Sequence, residues 1–198
     1  MNINPQKLEG NWREGFSLDF HTIHSTPIND ELGNLVGWDT ERTQIGAELY
    51  RLKYWRESER LSIITQVASD FLKTVLGSWK IDAIIPAPPS DSSRHIQPVF
   101  ELAKEIGKQL KINVDFTNLK KIKQTSQIKN ENDPDKRKEA LKDAFSVTEN
   151  CYLGKNILVF DDLFRSGGTL NAISKALILE GKAQDVYVFT ITKTRTNR

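Results

Sequence analysis

Two adjacent carboxylates, Asp161 and Asp162, directly follow the apolar run Ile157-Leu158-Val159-Phe160, and a turn ending Ser166-Gly167-Gly168-Thr169 follows them. An apolar strand of this kind delivers whatever comes next to the carboxyl edge of a sheet, which is where ligands of open α/β sheets bind. Glycines let a backbone curl tightly around an anion. The first amides of a helix are unpaired donors with partial positive charge, and the hydroxyls of Ser166 and Thr169 add donors. Arg165 to Thr169 therefore reads as a cradle for a phosphate monoester. Asp161 and Asp162 beside it are suited to accept hydrogen bonds from vicinal ribose hydroxyls. They could also help to hold hydrated Mg²⁺, which prefers one or two carboxylates plus substrate oxygens. An acidic pair or a Gly-Gly step alone is often only a solvated turn; the order strand, acidic pair, turn, glycine, helix is what points to chemistry. The chain contains no Gly-x-Gly-x-x-Gly, and no lysine follows Gly168, so dinucleotide and nucleoside-triphosphate loops fit poorly.

The elements that must position this segment are legible as periodicities. From Asp39 the pattern is helical, with Ile45, Leu49, Leu52 and Trp55 at spacings of four and three. A second helix is predicted from near Ser58, with Leu61, Ile64, Val67, Phe71 and Val75 on one face and Gly77 as its stop. Ile81–Ile85, closed by Pro86, reads as a buried strand, and Ile112–Phe116, Asn156–Phe160 and Asp185–Ile191 as three more. Helices over Pro98–Leu110 and Thr169–Leu179 separate them. Strands separated by helices of this length imply parallel crossovers. The expected fold class is α/β, an open, doubly wound, mainly parallel sheet over residues 41–198, with residues 1–40 an irregular N-terminal appendage that could hold a short hairpin. Asn118–Asp143 is a long polar stretch with eight basic and five acidic residues, a length typical of functional lids or of disordered loops.

Composition excludes several classes. The 198 residues carry a net charge of +2, with 38% apolar and 27% charged residues, which describes one well-solvated domain rather than a uniformly basic nucleic-acid coat. No uncharged stretch approaches the roughly 20 residues of a membrane helix. The first 30 residues have no signal-like apolar core. A soluble, cytoplasmic protein is expected. The single cysteine, Cys151, excludes an internal disulfide and a cysteine-based zinc site. His21-x-x-His24 has the spacing of a metal pair but no helical context, and reads as two ordinary loop histidines.

Residues 157–169 resemble the phosphoribosyl-pyrophosphate (PRPP) motif of type I phosphoribosyltransferases: an apolar strand, an acidic pair, a short turn and Thr-Thr/Ser-Gly-x-Thr. Asp161, Asp162, Ser166, Gly167 and Thr169 match, while Arg165 replaces a small hydroxyl residue. Over roughly 45–193 the chain is similar to the ComF-like branch of that family. Leu52-Lys53-Tyr54, Ile84-Ile85-Pro86-Ala87-Pro88, Gln97 with Leu102-Ala103, and Thr125, Gln127, Arg137 and Ala144-Phe145 carry this likeness. The cysteine-rich zinc-binding N-terminus of that branch is absent.

The resemblance implies Mg²⁺-assisted displacement of pyrophosphate from PRPP and transfer of the phosphoribosyl group to an acceptor the sequence does not identify. It implies ribose contacts at Asp161 and Asp162 and a 5-phosphate site at Arg165, Ser166, Gly167, Gly168 and Thr169. The pyrophosphate site would comprise Ala87, Pro88, Pro89, Ser90, Arg94 and Lys53, under a flexible loop with Lys120, Lys121, Lys123, Thr125, Gln127 and Arg137. Trp12, Phe16, Phe20 and Trp38 could stack on an acceptor base or form a small core of their own. A homodimer is compatible with this reading. The alternatives are a non-catalytic PRPP- or nucleotide-binding regulator, a ComF-like DNA-handling factor, and a nucleotide-modifying effector of a multi-protein system. The mixed charge of the 118–143 stretch disfavours nucleic acid as the partner.

Overall fold

The computed structural model describes residues 1–89, 97–123, 141 and 143–195. Its centre is a six-stranded sheet made of β1 (Gln6–Lys7), β2 (Glu14–Phe20), β5 (Ala83–Pro86), β6 (Asn113–Val114), β9 (Asn156–Phe164) and β10 (Asp185–Lys193), in the spatial order β1-β2-β10-β9-β5-β6. Only β1 is antiparallel; every other neighbouring pair is parallel. α1 (Gln44–Tyr50), α2 (Arg60–Trp79) and α3 (Pro98–Leu110) cover one face, packing Ile45, Leu49, Ile64, Leu72, Leu102 and Ile106 against Leu158, Phe160 and Phe189. α4 (Gly168–Leu179) covers the other face with Leu170, Ile173 and Leu177 on Ile157, Val159 and Val188. A two-stranded unit, β7 (Leu119–Lys121) with β8 (Phe145–Val147), packs on that second side through Leu119, Phe145 and Val147. The open, doubly wound, mainly parallel α/β sheet is as expected.

The differences have local causes. Residues 6–20 belong to the main sheet rather than to an irregular appendage, because Phe16 and Leu18 alternate with Gly15 and Ser17 and fit beside β10. Residues 22–42 form a long ribbon, β3 (Thr22–Asn29) paired antiparallel with β4 (Leu35–Arg42), exposed along most of its length. The helix expected from Asp39 starts only at Gln44, where the Thr43 side chain accepts from the Gly46 amide as an N-cap. It continues into a π-helical turn, Arg51–Trp55, which ends with Arg56 in the left-handed region. Gly77 lies within α2, which stops at Lys80 instead. The strand expected over 112–116 contracts to two residues, while β9 continues past the acidic pair to Phe164.

Chain direction reverses between β5 and β9. From β5 the path moves outward through α3 to β6; from β9 it moves the opposite way through α4 to β10. Crossovers on opposite faces leave a crevice beyond the carboxyl ends of these two strands, the place where open α/β sheets bind ligands.

Candidate functional site

Asp161 and Asp162 lie at the β9 side of that crevice. As neighbours in a strand they point to opposite faces. Asp161 shares the α4 face with Val159, and Asp162 shares the α1–α3 face with Phe160. The main-chain amide of Asp162 donates to Asp161 Oδ1 at 2.8 Å. Burial, and then the Asp162 charge, raise the Asp161 carboxyl to about 7, against the opposing pull of that amide and Lys53. Asp162 is 7% exposed and receives Lys53 Nζ on Oδ2 at 2.8 Å. Lys53 rides on the π-helical turn, a rare geometry that recurs at functional sites.

Beyond Phe164 the chain turns through exposed Arg165 and Ser166 into α4. Gly167 has φ 75°, a backbone region that costs other residues about 1 kcal/mol or more. Among the described residues no side chain caps the helix at this end, which leaves its first amides suited to an anion. The turn is tied to the end of β10: the Thr194 amide donates to the Phe164 carbonyl at 2.9 Å and its hydroxyl to the Arg165 carbonyl at 3.4 Å. On the β5 side, the Ala87 amide donates to the Phe160 carbonyl at 2.8 Å, which carries Ala87, Pro88 and Pro89 to the same edge. The fold thus brings together Asp161, Asp162, Lys53, the 165–169 turn and residues 87–89. Lys53 was expected with the pyrophosphate group; in the structure it pairs with Asp162.

Lys120 and Lys121 lie in strand β7 rather than in a loop, with Lys123 just beyond it. Ser90, Arg94, Thr125, Gln127 and Arg137 lie outside the described residues. The four N-terminal aromatics separate. Phe16 stacks with Trp79 and meets Phe71 edge-on in the core, whereas Trp38 is exposed on the ribbon. Trp12 meets Phe164 edge-on, and Phe20 lies under Lys193 and Arg195 at the end of β2.

His21, an ordinary loop histidine by its sequence, also reaches this edge. It follows β2 directly, so the sheet places it at the carboxyl edge beside β10. Its amide donates to the Lys193 carbonyl at 2.7 Å, and Nδ1 lies 3.1 Å from the Thr192 hydroxyl. Burial pushes its pKa down to about 4; Arg42 and Lys53 push the same way and Asp162 opposes, so the ring is neutral near pH 7. His24, three residues on, pairs with Glu41 at 3.3 Å on the ribbon, so the two histidines do not form a metal pair. The alternation of Phe16, Leu18 and Phe20 was the signal that a strand ends where His21 begins.

No protein-family model and no curated protein matches the sequence. Among solved structures the chain is similar to UMP synthase from Leishmania donovani, with 12% identity over 85% of this chain and a TM-score of 0.38. It is also similar to adenine phosphoribosyltransferase from Thermoanaerobacter pseudethanolicus ATCC 33223, with 13% identity over 85% of this chain and a TM-score of 0.40. The chain spans 28% of the length of the former and 94% of the latter.

Proposed function

We propose that this protein is a phosphoribosyltransferase that uses PRPP with Mg²⁺. The observation that carries the reading is the placement of an acidic pair and a glycine turn that opens a helix at the point where chain direction reverses between β5 and β9. The 5-phosphate would be held by the turn Arg165–Thr169, whose amides suit a dianion. Asp161 and Asp162 would accept hydrogen bonds from the ribose hydroxyls. Pyrophosphate would leave along the β5 edge, against the backbone of Ala87–Pro89 with Ser90 and Arg94, and Lys53 would offset the charge that develops there. The bond from the anomeric carbon to the pyrophosphate oxygen breaks as the bond to the acceptor nucleophile forms, and the acceptor gives up its proton. Lys120, Lys121 and Lys123, with Thr125, Gln127 and Arg137, would belong to the segment that excludes water.

The residues present fit Mg²⁺ held mainly by substrate oxygens. Among the described residues no group of three or more side chains could hold a metal alone. Asp161, which among the described residues makes no ion pair and is raised in pKa, gains from a positive neighbour. Bound there, the ion would neutralise the pyrophosphate oxygens.

Isothermal titration with Mg²⁺–PRPP tests the reading. Wild type should bind, and Asp161→Asn and Asp162→Asn should each weaken binding tenfold or more, consistent with loss of charge-assisted hydrogen bonds of about 1.5–3 kcal/mol. Equal affinity in all three proteins, or no binding by wild type, defeats it.

A further inference from the structure

The reaction needs the acceptor on the far side of the ribose from the leaving group, since displacement at one carbon brings the nucleophile in opposite the departing oxygen. With the ribose over β9 and pyrophosphate towards β5, the acceptor falls towards the ends of β10 and β2. That edge carries a guanidinium with no counter-ion among the described residues. Arg42, opposite Thr22 at the base of the ribbon, stacks on Tyr50 with Cζ 3.7 Å from the ring centroid. Stacking occupies the face of the fork and leaves its in-plane N–H groups free to bind. The neighbouring acids are already engaged: Glu41 with His24, and Glu48 with Arg51 and Arg60. Among the described residues Arg42 has no carboxylate partner, and its buried Nε has no acceptor, an arrangement native structures rarely leave uncompensated. His21 lies within electrostatic reach of Arg42, Lys53 and Asp162. Thr192 links it to the acidic strand, with its hydroxyl 3.1 Å from His21 Nδ1 and 3.5 Å from the Asp162 carbonyl.

We infer that Arg42, stacked on Tyr50 and flanked by His21, is the acceptor-recognising group, and that the acceptor carries a carboxylate. The inference rests on the transferase reading for its placement. A single fork beside a neutral imidazole suits one singly charged oxyanion; a phosphate dianion needs more donors, such as those at the start of α4.

Titration calorimetry with two probe pairs, orotate against uracil and nicotinate against nicotinamide, reads the preference for charge at nearly constant ring shape. It is run with and without saturating ribose 5-phosphate. In wild type the acid of at least one pair should bind about tenfold or more tightly than its neutral counterpart. Arg42→Gln should erase that preference, Arg42→Lys should restore part of it, and the melting temperature and Mg²⁺–PRPP affinity of both variants should stay at wild-type values. If neither acid outbinds its neutral partner, or if Arg42→Gln retains the preference, the inference is overturned. Acid preference without Mg²⁺–PRPP binding would instead overturn the transferase reading and leave the carboxylate subsite standing.

Discussion

Asp161 and Asp162 are chemically identical neighbours that the strand sends into different surroundings. Asp162 is held against Lys53, whereas among the described residues Asp161 receives only an amide hydrogen bond and keeps its proton to about pH 7. A carboxyl raised in the folded state binds more protons there than in the unfolded chain, so its contribution to stability falls as pH rises from about 4 to about 7. Asp161→Asn, which keeps the oxygen that accepts from the Asp162 amide, should be more stable than wild type at pH 8 by on the order of 2–4 kcal/mol. That advantage should shrink towards pH 4. Urea unfolding of both proteins across this range measures it; a difference that does not change with pH would show that Asp161 titrates normally. The acidic pair and the glycine turn were legible in sequence because their types and order are local. The divergence of the two carboxylates was not, because it depends on β9 running on to Phe164 instead of ending at Phe160.

At the scale of elements, the approach of α1 to the end of β2 builds the β2 side of the crevice. Gly46 permits it: a Cβ there would fall inside contact distance of the His21 carbonyl oxygen, which is backbone and cannot swing aside. The Thr43 hydroxyl fixes the same junction by donating to the Phe20 carbonyl at 2.6 Å while accepting from Gly46. Gly46→Ala should therefore push α1 outward at a cost of about 1–3 kcal/mol, a fall in melting temperature of roughly 3–10 °C for a chain of this size. The same variant should lose the preference for acids at Arg42. Calorimetric melting checks the first effect, and a melting temperature equal to wild type would mean that the junction is loose. The helices and central strands of this region were legible as periodicities; the junction was not, since it joins residues more than 20 positions apart by one hydroxyl and one missing side chain.

Across the whole molecule, the β3–β4 ribbon stands apart from both cores: Ile28, Leu35, Val36 and Trp38 are all exposed. Replacing residues 25–39 by a short turn, with the Thr22–Arg42 pair kept, should leave the circular dichroism melting curve and Mg²⁺–PRPP binding close to wild type. Loss of the folding transition would show the ribbon to be part of the scaffold. Composition and alternation sufficed for the α/β class and for the strand that carries the acids. They did not reveal that β2 completes the sheet, because a parallel strand's partner is set by packing far along the chain and leaves no local mark. That pairing has a consequence during synthesis. The His21–Thr192 contact joins residues 171 positions apart, and β2 pairs with β10, the last strand described. A nascent chain must therefore leave the β10-facing backbone edge of β2 unpaired until β10 is made, a long interval in which that edge is open to wrong partners. The β2–β10 side of the crevice is thus assembled late, so an incomplete chain could present the glycine turn and the acidic pair without the edge that carries His21.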